Sequence, residues 1–167
     1  MSKQDLFPIL WTMATIEPLS SAEEVLLRAV MRLIKVLPRY LDTDLIRGAG
    51  LSASEYLTLM HLSEAPNREL RMTELSNATG LSASRMTRLV DGLQSRGFVV
   101  KNASASDGRG AVARLTPTGM TKLKSAWRVH LNSVRRRFFD HIDDSTVEHV
   151  ADALAAVAAQ LEDRTPV

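Results

Sequence analysis

The sequence contains no cysteine. Disulfides, thiol catalysis and cysteine-ligated zinc are thereby excluded, and with them the simplest chemistry for sensing oxidants. Long hydrophobic runs are missing too. The most apolar piece, LFPILWTMATI near the N-terminus, is too short to span a membrane. It does not read as a signal peptide, because Asp5 precedes it, Pro8 interrupts it and no A-x-A pattern follows. The sequence shows no internal repeat, low-complexity tract, glycine-rich phosphate loop or nucleophile elbow. Neither end carries an excess of one charge: residues 1–50 hold six basic and six acidic residues, and residues 117–167 hold seven of each. The expectations are a cytoplasmic location, no membrane partner, no cofactor and no enzymatic role.

What remains is a chain of 167 residues, 45% hydrophobic, which suits one core-forming domain with room for an appendage. Its charge is concentrated in the middle. Within residues 82–116 stand Arg85, Arg88, Arg96, Lys101, Arg109 and Arg114 against Asp91 and Asp107, a local excess of four positive charges. Such a footprint suits phosphate binding, and surface solubility alone would also produce it.

The stretch LSASRMTRLVDGLQSRGF, residues 81–98, sits in that footprint. As a helix it places Met86, Leu89, Val90 and Leu93 on one buried side and Ser84, Arg88, Asp91 and Ser95 on the other. Ser82 is the expected N-cap, its hydroxyl accepting from an early amide, and Gly97 the stop. A short helix over about Thr73–Thr79, with Leu75 and Ala78 inward and Gly80 to turn the chain, precedes it. The pair reads as a helix-turn-helix.

The rest of the chain is mainly helical. Ser20 with Glu23, or Ser21 with Glu24, opens a helix whose stripe of Val25, Leu26, Ala29, Val30, Leu33 and Leu37 lasts until Pro38, where a kink or break is expected. Ser52 and Glu55 form another capping box, for a helix through Tyr56, Leu57, Met60 and His61 that ends before Pro66. FVVKN and VARLT flank ASASDGRGA, a β-hairpin pattern with Arg109 at its tip. Thr116 and Pro117 then start a helix expected to run over residues 117–142, striped by Met120, Leu123, Trp127, Leu131, Val134 and Phe138. A last helix is capped by Ser145 and Glu148, with Val147, Val150, Ala151, Leu154, Val157, Ala158 and Leu161 on its apolar side. The helix-turn-helix and hairpin have a core of their own, so the stripes at 22–37, 117–142 and 145–162 need another partner. A second copy related by two-fold symmetry supplies it, and a monomer folding these helices over its own back is the competitor.

Leu75, Gly80-Leu81-Ser82, Thr87-Arg88-Leu89-Val90-Asp91, Leu93, Arg96-Gly97, Asp107-Gly108-Arg109 and Leu115-Thr116-Pro117-Thr118-Gly119 resemble the MarR family, the multiple-antibiotic-resistance regulators. The likeness covers about residues 21–162. It implies a winged helix-turn-helix with a β-hairpin wing, in three parts: an N-terminal segment and dimerisation helix (1–50), a DNA-binding lobe (51–116) and C-terminal dimerisation helices (117–167). It further implies a homodimeric repressor on double-stranded DNA with a palindromic operator, released when a small aromatic or phenolic anion binds between the dimerisation helices and the DNA-binding lobe. Major-groove reading would fall on Ser82, Ser84, Arg85, Thr87 and Arg88, and minor-groove entry on Arg109 with Asp107 holding it. Two departures loosen the wing: no proline precedes Asp107, and Gly108 and Gly110 replace bulkier, often basic, neighbours.

Other readings stand beside this one. Arg85 and Arg88 are also explicable as solvated charge, with Arg88 paired to Asp91, which is expected to orient an arginine rather than touch DNA. Trp127 reads first as packing, and with Trp11 it is a weak candidate for lining a ligand pocket. Arg135, Arg136 and Arg137 read as one solvated helix face, with the alternative that one of them reaches a pocket anion or the partner. Asp140, His141, Asp143, Asp144, Glu148 and His149 cluster in FFDHIDDSTVEH, but the two histidines lie eight apart across a helix break, and capping explains the acids. The alternative functions are a winged-helix protein-interaction module without operator specificity and, third, a metal-dependent enzyme or sensor at Asp140–His149.

Overall fold

The computed structural model describes residues 17–103 and 111–162. The elements run α1 (Ser21–Ala49), α2 (Ala53–Glu64), a 3-10 turn (Pro66–Arg68), β1 (Glu69–Arg71), α3 (Met72–Thr79), α4 (Ala83–Ser95), β2 (Val99–Ala103), β3 (Ala111–Leu115), α5 (Pro117–Arg137), a second 3-10 turn (Phe139–His141) and α6 (Asp144–Glu162). Two compact units divide between Val36 and Leu37, inside α1.

In the first unit Ser20 is the capping residue. Its Oγ accepts from the Glu23 amide at 3.3 Å and its own amide donates to the Glu23 carboxylate at 2.7 Å. The following helix exposes Val25, Leu26, Leu27, Met31, Leu33, Ile34 and Val36. The break expected at Pro38 does not occur; α1 runs through it to Ala49. Proline removes one amide, and the carbonyl that loses its partner belongs to Ile34, an exposed position open to solvent.

The second unit holds the core, in which Leu45, Leu51, Tyr56, Leu59, Leu75, Met86, Val90, Leu93, Val99 and Leu115 pack together. Each fully buried leucine contributes about 2 kcal/mol by removal from water. The capping box of α2 is present: Ser52 Oγ accepts from Glu55 N at 3.2 Å and Ser52 N donates to Glu55 Oε2 at 2.8 Å. Its buried side is Tyr56, Thr58, Leu59 and Leu62, with Leu57 exposed. Thr58 is admitted because its hydroxyl donates to the Ser54 carbonyl at 2.8 Å. In α3 the buried pair is Leu75 and Ser76, while Ala78 faces out.

The sheet has three antiparallel strands in the order β1-β3-β2, and the expected hairpin registers Val99 on Leu115 and Asn102 on Val112. The third strand, β1, was not expected; it pairs Leu70 with Ala113. Thr116 starts α5 as expected, its Oγ1 accepting from Gly119 N at 2.9 Å while donating to the Gly97 carbonyl at 2.7 Å. This helix ends at Arg137, short of 142, because Phe138 leaves helical geometry (φ −134°, ψ −67°). Its buried residues are Gly119, Leu123, Ala126 and Ser133, so the expected stripe is offset and Trp127 and Leu131 stay exposed. Asp143, not Ser145, caps α6, with its Oδ1 accepting from Ser145 N at 2.9 Å.

A polar lock joins the second half of α1 to the end of α5. The Asp44 carboxylate accepts from Ser133 Oγ, from Arg136 Nη2 at 3.1 Å, and from Arg137 through Nε at 2.6 Å and Nη2 at 2.9 Å. The Arg137 guanidinium also lies 4.4 Å from the centre of the Tyr40 ring. Arg137 therefore leaves the solvated face expected of the Arg135–Arg137 run, while Arg135 and Arg136 stay exposed, Arg136 with one bond to Asp44.

Candidate nucleic-acid interface

The outward side of α4 is assembled from its two ends. At the entry Gly80 adopts φ +66°, so that Leu81 N reaches the Ser76 carbonyl at 3.1 Å and the chain turns into α4. Ser82 takes the extended N-cap conformation, but its hydroxyl caps no amide; it lies 3.4 Å from Ser84 Oγ, leaving both hydroxyls on the surface. At the exit Gly97 (φ +73°) donates to Gln94 O at 2.8 Å and Phe98 to Leu93 O at 3.0 Å, a Schellman closure. Met86, Val90 and Leu93 anchor the helix in the core.

Arg96 pins that exit to the beginning of α2. Its guanidinium pairs with Glu55, donates to the Gly50 carbonyl at 3.2 Å and lies 5.2 Å from the Phe98 ring centre. On the wing side Lys101 N donates to Gln94 Oε1 at 3.2 Å and Lys101 Nζ pairs with Asp91 at 2.8 Å. Asp91 thus holds a lysine of β2, not Arg88 as expected. A basic side chain is thereby spent on tying strand to helix.

With these anchors made, Ser82, Ser84, Arg85, Thr87 and Arg88 are all exposed. Neither Arg85 nor Arg88 pairs with an acid among the described residues. Ser84 and Arg88 occupy the centre of the outward side, Thr87 one flank and Arg85 the other, next to half-buried Leu89. Arg85 and Arg88 line a cavity of about 400 Å³ with Leu81, Leu89, Asp42, Ser52 and Ser54. Asp107, Arg109 and Trp11 lie outside the described residues.

A second cavity, of about 350 Å³, opens between α2 and α5 and is lined by Tyr56, Met60, Ser63, Glu64, Met120, Leu123, Lys124 and Trp127. The Tyr56 ring lies 4.8 Å from His130, which lies 6.2 Å from Trp127. Tyr56 Oη and His130 Nδ1 are buried without a hydrogen-bond partner. Burial raises the phenol's pKa and lowers the imidazole's, so both are held neutral. Of these residues only Trp127 carried a sequence signal, because Tyr56 and the methionines read as ordinary core. Among the described residues no three His, Asp or Glu side chains converge as metal donors. None of the described helices is long and apolar enough to cross a membrane.

A family model described as MarR family matches residues 49–110. Among solved structures, Sco3205 of Streptomyces coelicolor, a MarR family transcriptional regulator in complex with DNA, is 32% identical with a TM-score of 0.76, covering 87% of this chain and 92% of that one. AbsC, a MarR family transcriptional regulator of the same organism, is 28% identical with a TM-score of 0.76, covering 89% and 99%. The HTH-type transcriptional repressor YetL of Bacillus subtilis is 30% identical over 108 residues, 63% of this chain. The chain spans 65% of YetL and 43% of the Escherichia coli repressor MprA, less than two thirds of either curated relative. The recognition helix fixed at both ends, the three-stranded wing sheet and this likeness over nearly the whole of a solved relative agree: the chain is a winged helix-turn-helix protein and belongs to the MarR family.

Proposed function

We propose that the protein is a homodimeric transcriptional repressor that binds a palindromic operator and is released by a small aromatic anion. The observation that carries the reading is the pair Arg85 and Arg88 on the outward side of α4, exposed and without an acidic partner among the described residues. Arg88, at its centre, addresses base edges, where a bidentate arginine contact to guanine is the commonest specific one. Ser82, Ser84 and Thr87 reach base edges or phosphates beside it, and Arg109, with Asp107, takes the minor groove. Residues 51–116 form the DNA-binding lobe in this reading, and 1–50 and 117–167 the dimerisation parts. The apolar residues left exposed on α1, and Leu154, Val157 and Leu161 on α6, support a second copy as their cover.

The cavity between α2 and α5 supports the release step. Its apolar lining accepts an aromatic ring against Trp127, and Lys124 neutralises a carboxylate held away from Glu64 of the same lining. A ligand acts only if it prefers a dimer whose two α4 helices are wrongly spaced for successive major-groove faces, about 34–36 Å apart. The test is selection of duplexes from a randomised pool by the purified protein, followed by competition in rising salt. A selected sequence that outcompetes random DNA at 200 mM salt supports the reading. Equal binding of all polyanions overturns it in favour of a charge-based interaction module.

A further inference from the structure

We propose that the DNA footprint extends beyond the helix-turn-helix to the cavity between α2 and α4, where Arg85 and Ser54 hold one backbone phosphate and Asp42 weakens that hold by its charge. The inference rests on the DNA-binding reading above. The cavity of about 400 Å³ is lined by Arg85, Arg88, Leu89, Ser52, Ser54 and Asp42. Arg85 stands on the flank of α4 that faces this cavity, away from the centre where bases are read. Its guanidinium has no acid to satisfy it among the described residues, although Asp42 borders the same space.

The polar groups of the cavity differ in how far they are already engaged. Ser52 Oγ is taken by the Glu55 amide and Ser52 N by the Glu55 carboxylate. Asp42 Oδ1 accepts from Ala53 N at 2.7 Å, so a carboxylate of the chain itself already sits at the beginning of α2. Two of the early amides of α2, those of Ala53 and Glu55, are therefore already engaged. Ser54 Oγ makes no such bond among the described residues; its carbonyl accepts from the Thr58 hydroxyl. The guanidiniums of Arg85 and Arg88 and the Ser54 hydroxyl are the donors left in this lining, and Arg85, on the flank, is the guanidinium that with Ser54 makes a donor set for phosphodiester oxygens. When the outward side of α4 lies in a major groove, the sugar-phosphate strand bounding that groove passes along its flank, so the occupant is DNA backbone rather than a base.

Asp42 gives the inference its second direction. Its second oxygen accepts no bond among the described residues, and its charge borders the proposed phosphate position. Asparagine keeps the acceptor for Ala53 N and removes the charge. The variants Ser54→Ala, Ser54→Glu and Asp42→Asn are measured by fluorescence anisotropy against the duplex selected by the wild type and an unrelated duplex of equal length. Circular dichroism and thermal midpoints verify folding. Ser54→Ala is expected to weaken binding about 3- to 10-fold and Ser54→Glu more than 10-fold, by the same factor on both duplexes. Asp42→Asn is expected to tighten both about 3-fold at 50 mM salt and less at 200 mM. Wild-type affinity in folded Ser54→Ala, an effect confined to the selected duplex, or weaker binding by Asp42→Asn overturns the phosphate site while leaving the repressor reading intact. A wild type that selects no sequence overturns that reading instead, and loss of weak binding in the Ser54 variants then still reports on the phosphate site.

Discussion

At the scale of single residues, the protein separates side chains that hold the scaffold from side chains left for a ligand. Arg96, at the C-terminal cap of α4, is engaged by Glu55, Gly50 and Phe98, while Arg88, within the helix, has no acidic partner among the described residues. Replacing Arg88 with alanine should therefore cost DNA binding and not stability: about 1–3 kcal/mol of operator affinity, with relaxed preference at one base pair, and an unchanged thermal midpoint. Wild-type affinity in both Arg88→Ala and Arg109→Ala would refute the assignment of DNA contacts. Gly119 is the opposite case. A Cβ there would sit 2.1 Å from the Phe98 carbonyl oxygen, at a place where Thr116 already ties α5 to the β2 entry. Gly119→Ala should lower stability by about 1–3 kcal/mol in urea titrations, since backbone must move to admit the methyl group.

Among elements, what the sequence discloses depends on whether local chemistry or distant pairing decides. The Gly97 exit of α4, the Ser52–Glu55 box and the Thr116–Pro117 start of α5 are local, and each is legible in a few letters, whereas Ser82 takes the N-cap position without the expected capping bond. The strand β1 has three residues and no alternation to read; it exists because Leu70 finds Ala113 more than forty residues away. The same holds for the inward side of α5, where Gly119, Leu123 and Ala126 lie flush with their neighbours and push the larger Trp127 outward. Asp44 is the clearest loss, because nothing in its neighbourhood announces Ser133, Arg136 and Arg137 ninety residues on. Arg137 and Ser133 hold the Asp44 carboxyl well below the usual carboxylate range. A carboxyl with a depressed folded-state pKa stabilises fully above its unfolded value of about 4 and loses that contribution as pH falls towards the folded value. The thermal midpoint of the wild type should thus fall steeply below pH 4. Asp44→Asn should start several degrees lower at pH 7 and show a shallower acid limb. Parallel acid limbs would mean that the lock contributes nothing to folding.

For the molecule as a whole, the question is what covers α6. Val150, Leu154, Val157 and Leu161 form one stripe, and Leu154, Val157 and Leu161 are 47%, 58% and 66% exposed. Yet the core around Tyr56, Leu93 and Leu115 contains no residue of α6. Cover and core are therefore separable by mutation. In the dimer reading, Leu154→Glu with Val157→Glu places two charges in a two-fold contact, so each is repeated on the partner and four must lose water at once. The double variant should sediment as a single subunit of 18.4 kDa while keeping the circular dichroism and most of the thermal stability of the wild type. Its DNA binding should fall further than its half-site contacts alone require. Once one lobe of a dimer is bound, the second binds at millimolar effective concentration, and separating the subunits removes that gain, a factor of 100 or more. Half-site duplexes should bind both proteins alike. Should the charged variant remain dimeric, α6 is not the dimer contact. A monomer with undiminished affinity for the full palindrome would show that the two lobes never acted together.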